Sequence, residues 1–527
     1  MPYSAISSQE IEEKLKTRFL KTGFLSLSNL PKPSTFKDMD KATARIVKAI
    51  HTNEKIMLIG DYDVDGVTST TLMKMFFNDI GVELEWIIPN RFKDGYGLSP
   101  NLIPRVEGYD LVITVDNGIS AVYASQLCKE KGIDLIITDH HIVPSVVPQA
   151  YAIIDQKQKD CTFPYEEVCG AQIAWYLIAS LNGALKSKID VKPYLGLVSI
   201  AIIADMMPLQ HINRAMVKTG LKLLNRSNLP SIQAFMEKLD KVSLNADDIG
   251  FQIAPLLNSA GRMDDAKWSV EFLLSNNIYD ARIRLEKLVD FNQNRKATEQ
   301  KITNEAMEKV NPKDNVIVVV GENWHEGVIG IVAARVGRHF EKPTIILTQT
   351  KQNELKGSGR SFDVCNLFKI TNACKPLLQK FGGHESAIGL SLKPENFKKF
   401  QIEINRNYDL ENYNKSSIDP DILGFLSFKD ITHLTVNNLK IYEPYGQGNP
   451  RPKFFTSNVI IEDVIEIGKE KEHRKFTFSH DNKVHIGVLF KTKETFNIGQ
   501  IVTIIYEINE NYFNNRVTLQ LMIEKIF

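Results

Sequence analysis

Cysteine is scarce in this chain, and its placement is uninformative for pairing. The five present (Cys128, Cys161, Cys169, Cys365 and Cys374) include no C-x-x-C pair, and an odd one is always left over. That excludes a disulfide-built scaffold and a cysteine zinc site, and it fits a reducing, cytoplasmic setting. Long apolar runs are missing too, and no basic-then-apolar leader opens the chain, so no membrane span is expected. Charge of one sign is also lacking: 64 Lys and Arg against 63 Asp and Glu leave a formal net charge of +1. A polyanion must therefore be held by local patches, because no global field draws it in. What remains is 527 residues, 43% hydrophobic and 24% charged, the composition of a soluble globular protein. That is too much chain for one core, and about two to four domains are expected.

The stretch Ile56-Met57-Leu58-Ile59-Gly60-Asp61-Tyr62-Asp63-Val64-Asp65-Gly66 organises the rest. An apolar run ends in three carboxylates at alternate positions, followed by a glycine that permits a tight turn. Crowded carboxylates repel one another unless a cation sits among them, and hard divalent cations prefer oxygen ligands. A helix-loop-helix calcium loop also begins D-x-D-x-D-G, but it needs glutamate at its twelfth position. Counted from Asp61 that position is Leu72, so the calcium loop is excluded.

From Lys55 onward, short apolar runs alternate with helical stretches. Strands are expected at Ile56–Ile59, Leu84–Ile88, Leu111–Val115, Leu135–Thr138 and Ala152–Ile154, with helices at Thr68–Asn78 and Ala121–Lys131. Such alternation predicts a largely parallel sheet covered on both faces. Asp116 directly follows one strand, and Asp139-His140-His141 directly follow another. In an open parallel sheet those carboxyl ends line one crevice. Asp205 closes the apolar stretch Tyr194–Ala204, where an ionised carboxylate is costly unless paired or bound to metal. Two cations roughly 3.5–4 Å apart activate water and stabilise both attacking and leaving oxygens. Asp61, Asp63, Asp65, Asp116, Asp139, His140, His141 and Asp205 supply enough side chains for that, with at least one serving to orient a histidine.

The motifs G-D-Y-D-V-D-G, T-V-D-N-G, T-D-H-H and I-A-D together resemble those of the DHH phosphoesterases, and among them the RecJ type, from about residue 45 to the end. The resemblance implies a 5′-to-3′ exonuclease on single-stranded DNA that releases mononucleotides in repair and recombination. It implies two Mn2+ or Mg2+ ions held by Asp61, Asp63, Asp65, Asp116, His140, His141 and Asp205. Asp139 completes the catalytic set, in the metal shell or orienting its neighbours. A DNA helicase and a single-strand-binding protein are the implied protein partners, and a monomer is expected. The alternatives are a phosphodiesterase acting on short RNA or cyclic dinucleotides, a non-catalytic replication scaffold, and an inorganic pyrophosphatase. A scaffold predicts broken acidic motifs, and none of the four is broken.

Asn258 to Arg262 is small and polar around one arginine, and the resemblance places Arg262 near substrate. Tyr279 to Val310 lacks Gly and Pro, and reads as a long connecting helix. Its apolar stripe includes Ile283, and its charges, Arg295 among them, lie on a solvated face. A second α/β unit begins at Asn315, with strands at Val316–Val320 and Thr344–Leu347. There Lys356-Gly357-Ser358-Gly359-Arg360-Ser361 and Phe381-Gly382-Gly383-His384 read as turns offering amides, hydroxyls and a guanidinium to phosphate. The two turns resemble the DHHA1 accessory domain, which makes Ser358, Arg360, Gly383 and His384 substrate-binding choices; His325 is a weaker one. Glu443 to Pro450 is a turn-rich boundary. Five strands after it predict an OB-type barrel. There Lys469, Lys471, Arg474, Lys475, Phe476, Phe478, Tyr512, Phe513 and Arg516 interleave basic and aromatic groups, as single-strand binding uses. The expected layout is an N-terminal extension (1–45), a DHH domain with a mostly parallel sheet (46–270), the connecting helix (271–312), a smaller α/β DHHA1 domain (313–415) and the OB-type β-barrel (416–527).

Overall fold

The computed structural model describes residues 4–19, 25–350, 353–410, 421–468, 470–492, 494–513 and 516–527. The first unit is built on five parallel strands: β1 (Ile56–Ile59), β2 (Glu85–Ile87), β3 (Leu111–Val115), β4 (Asp134–Thr138) and β5 (Ala152–Ile154). Their spatial order is β2-β1-β3-β4-β5. Period-two alternation sends Ile56 and Leu58 into one apolar core, beneath the helices Met39–His51, Val64–Asp79 and Gly170–Leu185. Met57 and Ile59 enter a second core beneath the helix Val122–Glu130. Burial on both faces is why these strands read as unbroken apolar runs.

The second unit holds β6 (Ile317–Glu322), β7 (Thr344–Gln349), β8 (Leu355–Arg360), β9 (Lys380–His384) and β10 (Ala387–Leu392), ordered β6-β7-β8-β10-β9. Two readings from sequence are corrected here. Lys356 to Arg360 is a strand, and Lys380 to Leu392 is a β-hairpin, where turns were expected. Asn258 to Arg262 forms the end of the helix Ala254–Met263.

The third unit contains β11 (Ile422–Phe425), β12 (Lys453–Ile467), β13 (His473–His480), β14 (Lys483–Leu489), β15 (Ile501–Phe513) and β16 (Arg516–Ile526). β12, β13, β14, β16 and β15 follow one another, β14 and β16 run parallel, and β15 pairs back onto β12. That closes a five-stranded barrel of OB type, with β11 added at the side of β12.

The helix Ile278–Glu308 joins the first two units. Ile283 is exposed there, off the expected apolar stripe, whereas Arg295, expected on a solvated face, is buried with Asn292, Glu299 and Thr303. The N-terminal stretch is no free extension. Met39–His51 packs into the first core, and Ile6, Ile11, Leu15 and Phe19, on and beside the helix Ser8–Arg18, pack into the barrel core. The turn-rich segment from Glu443 ties the barrel to the first unit. Arg214 donates to the carbonyls of Ile441 (3.1 Å) and Glu443 (2.9 Å), and the Leu209 amide donates to that of Gln447 (2.7 Å). Among the described residues, no helix is long and apolar enough to cross a membrane.

Candidate active site

The carboxyl edge of the first sheet gathers the acidic motifs. Asp61 and Asp63 leave β1. Asp63 caps the helix Val64–Asp79, one oxygen accepting the amides of Asp65 (2.9 Å) and Gly66 (3.1 Å). Gly66 is required sterically: a Cβ there would fall 2.5 Å from the Asp61 backbone. Asp65 accepts the amides of Gly170 (2.5 Å) and Ala171 (2.8 Å), the first turn of Gly170–Leu185, so both its oxygens are engaged by a helix N-terminus. Asp116 leaves β3 with φ +61°, a left-handed backbone that a short polar side chain tolerates. It packs so closely on Gly170 that a Cβ at that position would lie 2.6 Å from its own Cβ.

Asp139, at the end of β4, is saturated by hydrogen bonds. It accepts the amides of Ile119 (2.8 Å), His140 (2.8 Å) and His141 (3.2 Å), and lies 2.7 Å from His141 Nδ1. His141 Nε2 lies 3.4 Å from the Tyr96 hydroxyl. His140 is buried, with Nε2 3.2 Å from Asp116, 3.7 Å from Asp65 and 3.8 Å from Asp205. Asp205 ends the helix Leu195–Ala204. Three groups of ligand atoms, each within 4.8 Å, result: Asp61, Asp63 and Asp116; Asp116, His140 and His141; and Asp65, His140 and Asp205. Asp116 and His140 each belong to two of them. All eight acidic and imidazole residues expected from sequence therefore meet in one place.

Their electrostatics call for positive charge. Oxygens of Asp61, Asp116 and Asp205 are buried without a hydrogen-bond partner. Burial, then the neighbouring carboxylates, raises Asp61 and Asp116 well above the carboxylate range and pushes Asp205 up to about 9. Burial and Asp63 lift Asp65 to about 6, against the two amides. At Asp139 burial is outweighed by the His141 hydrogen bond and charge, and its carboxyl is lowered. Burial, and then His141, pulls His140 down to about 3, whereas at His141 burial is overcome by Asp139, which raises it to about 9.

Two residues near this site were not picked out from sequence. Asp155 directly follows β5, as Asp116 follows β3. It is buried with one oxygen unpartnered, and burial lifts it to about 7. The strand-then-acid pattern was its signal. Arg91, in the loop after β2, stacks over the Tyr62 ring at 5.2 Å. A lone arginine in a loop gives no comparable signal.

Opposite the acidic residues lie cations from both units. Arg262 donates to the Gly327 carbonyl (3.3 Å), and burial with Arg91, Arg295 and Arg360 nearby lowers it to about 10, so it stays charged at neutral pH. Arg360 donates to Ser358 Oγ (3.0 Å). The Ile329–Phe340 helix begins beside both side chains, since a Cβ on Gly330 would lie 2.9 Å from Ser358 Oγ and 3.0 Å from Arg360. Gly383 has φ +139°. His384, on the same hairpin, is lowered by burial and by the charge of Arg360, with smaller contributions from His141 and Lys157. His325 accepts the Gly327 amide (3.1 Å) and so staples its own loop.

In the barrel, the sequence expectation is corrected. Phe476 and Phe478 are core residues stacked on each other, and Arg474 is buried beside Glu466. Lys471 and Lys475 are exposed. Lys469 and the side chains of Tyr512, Phe513 and Arg516 lie outside what is described.

Comparison with known proteins places these units. The DHH family N-terminal domain matches residues 55–202, the DHHA1 domain 313–408 and the RecJ OB domain 424–525. The single-stranded-DNA-specific exonuclease RecJ of Bacillus subtilis (strain 168) is 34% identical over 504 residues, covering 93% of this chain. The chain spans only 64% of that relative's length. The enzyme of the same description from Escherichia coli (strain K12) is 30% identical over 558 residues, covering 99% of this chain and 93% of the relative. Among solved structures, RecJ from Thermus thermophilus in complex with Mn2+ superposes with a TM-score of 0.82 at 23% identity, covering 99% of this chain and 79% of that one. An exonuclease RecJ bound to manganese superposes with a TM-score of 0.62 at 27% identity, covering 72% and 96%. With its strand-end carboxylates, the Arg360 strand of its second sheet and its terminal barrel in this order, the chain belongs to the RecJ family of DHH phosphoesterases.

Proposed function

We propose that the protein is a metal-dependent exonuclease that hydrolyses single-stranded DNA from its 5′ end to mononucleotides. The observation that carries this reading is the set of overlapping ligand groups sharing Asp116 and His140, faced across one cleft by Arg262, Ser358 and Arg360. Buried carboxylates with oxygens lacking partners, raised by burial and then by mutual repulsion, fit a pair of divalent cations. Asp61, Asp63, Asp116, His140, His141 and Asp205 would hold Mn2+ or Mg2+. Asp65 completes this set with His140 and Asp205, the amides of Gly170 and Ala171 holding its carboxylate in place. Asp139 orients His141 through Nδ1, which leaves Nε2 for metal. When bound, such cations lower the pKa of water and neutralise charge on the reacting phosphate.

Arg262, Arg91, Ser358 and Arg360 hold the anionic end of the strand, with the Gly383 backbone and His384 beside them. Guanidinium groups suit phosphate because their paired N–H donors match its oxygens. With one end fixed there, the next phosphodiester lies over the acidic residues. Water adds to that phosphorus, the bond to the 3′ oxygen breaks, and a mononucleotide leaves with its 5′ phosphate. The shortened strand carries a new 5′ phosphate and re-enters the same anchor. The barrel holds the strand farther in; a phosphodiesterase of short substrates has no use for it. Acting on single strands, the enzyme depends on an unwinding partner and on a single-strand-binding protein, and its setting is the cytoplasm. The family resemblance alone supports these partners and the polarity of cleavage.

Single- and double-stranded oligonucleotides labelled at either end, with Mn2+, Mg2+ or chelator, test the reading. Release of labelled mononucleotide from the 5′ end of single strands only, and only with metal, is expected. Equal attack on both ends or on duplex contradicts it.

A further inference from the structure

The cleft continues past the residues that hold the strand end. On the face of the second sheet carrying Ser358 and Arg360, strand register sets three rows across β8, β10 and β9. The first row is Arg360, Ala387 and His384; the second is Ser358, Gly389 and Gly382; the third is Lys356, Ser391 and Lys380. Alternate residues share a face, so successive rows are about 7 Å apart. The first row is the one at the strand-end anchor, since Arg360 abuts Gly330, three residues beyond the Gly327 that contacts Arg262. The third lies away from that anchor, and none of the acidic side chains of the metal site lines the space above the rows.

That space is a cleft of about 370 Å³, reached by Arg91 and opening at Lys356 and Lys380. Its middle is bare floor: a Cβ at Gly382 or Gly389 would meet nothing within 4 Å. Arg91, Lys356 and Lys380 outnumber the carboxylates Glu326 and Glu354 that share the lining. Lys356 lies 3.3 Å from Glu326, and among the described residues no carboxylate pairs with Lys380. Phe381 is the lining aromatic, and its ring is stacked on Phe368 at 4.9 Å. The cleft thus offers point charges and a flat floor, and no free ring for a nucleobase. Ammonium groups on long flexible stems suit phosphates without fixed orientation.

We propose that this cleft receives the additional phosphates of a strand whose 5′ end is a triphosphate, with Lys356 and Lys380 as their contacts. The inference rests on the exonuclease reading, which puts the innermost phosphate at Ser358 and Arg360. The reaction is unchanged: water adds to the phosphorus between the first two nucleotides and the bond to the 3′ oxygen breaks. The products are an intact nucleoside 5′-triphosphate and a strand with a 5′ monophosphate; no phosphoanhydride bond is broken.

The test compares single strands of one sequence bearing a 5′ monophosphate or a 5′ triphosphate, with Mn2+, following the first nucleotide released. Wild type is expected to release nucleoside triphosphate with kcat/KM within about threefold of the monophosphate strand. Lys356→Ala/Lys380→Ala, two solvent-reachable positions, is expected to lose tenfold or more on the triphosphate strand and under twofold on the monophosphate strand. Failure of wild type on the triphosphate strand alone overturns the inference, because the cleft then ends at the anchor. Equal loss on both strands in the double variant also overturns it, because the lysines then belong to the anchor. No release from the monophosphate strand by wild type would instead remove the exonuclease reading itself.

Discussion

At Asp116 three demands coincide: a left-handed backbone, an unpartnered buried oxygen, and membership of two ligand groups. Asp116→Asn keeps the shape and removes the charge, and hydrolysis is expected to fall by about 10²–10³-fold or more; near-normal rates would relocate the metals. The same crowding gives metal-free protein a pH signature. Asp205 and His141 are both raised to about 9, and Asp61 and Asp116 are raised well above their ordinary range. A raised group stabilises the fold below its unfolded pKa and loses that contribution as pH rises to its folded value. His140, lowered to about 3, opposes this only while the unfolded imidazole, with a pKa of about 6.5, is still partly protonated; from about pH 7.5 it is neutral in both states and adds no slope. Thermal unfolding in chelator should therefore show stability declining from pH 6.5 to 9, and added Mn2+ should flatten the decline; a rise over that window contradicts the assignment. The acidic motifs were legible because each directly follows an apolar strand or, for Asp205, an apolar helix. Asp155 carries the same local signal without a surrounding motif, and Arg91 becomes notable only through neighbours distant in sequence.

At the level of elements, the Gly170–Leu185 helix fixes the centre from below: its first amides hold Asp65, and Gly170 lets Asp116 approach. Gly170→Ala would force Asp116 away. Metal affinity should drop about 10–100-fold by titration, as when a ligand loses its support, with about 1–3 kcal/mol lost in urea unfolding. Unchanged affinity would mean that Asp116 is not a ligand. Facing it, Arg360→Ala should remove the preference for a 5′ phosphate over a 5′ hydroxyl, measured as a ratio of kcat/KM; an unchanged ratio rejects the anchor. The parallel strands were readable from their apolar runs. The β9–β10 hairpin was not, since Phe-Gly-Gly-His has the composition of a turn, and only pairing with β8 extends it. Asn258 to Arg262, small and polar in sequence, is helical because it packs closely: Ser259 donates to the Leu288 carbonyl (3.1 Å), and a Cβ on Gly261 would lie 2.4 Å from the Tyr62 carbonyl oxygen.

Across the whole molecule, the long helix holds the two cleft walls in register. Glu299 is buried between Arg295 on the same helix (2.5 Å) and Arg335 of the second unit (2.5 Å), while Glu305 accepts from the Trp324 indole (2.7 Å). Glu299→Gln leaves buried guanidinium charge uncompensated, and about 3–5 kcal/mol should be lost in denaturant unfolding; an effect below about 1 kcal/mol would show the network to be surface-like. The order of units was legible because each has its own periodicity and turns. The docking of the Ser8–Arg18 helix on the barrel, and of the Glu443 segment on the first unit, was not, because both depend on contacts hundreds of residues apart. The buried Phe476 and Phe478 make the same point, since strand alternation alone does not say which face of a barrel is inside. The central claim is that one cluster of side chains holds two divalent ions. Equilibrium binding of Mn2+ to the intact protein measures it directly: about two ions per chain are predicted, with both lost or sharply weakened in Asp116→Asn. Binding of none, or binding indifferent to Asp116, would contradict it.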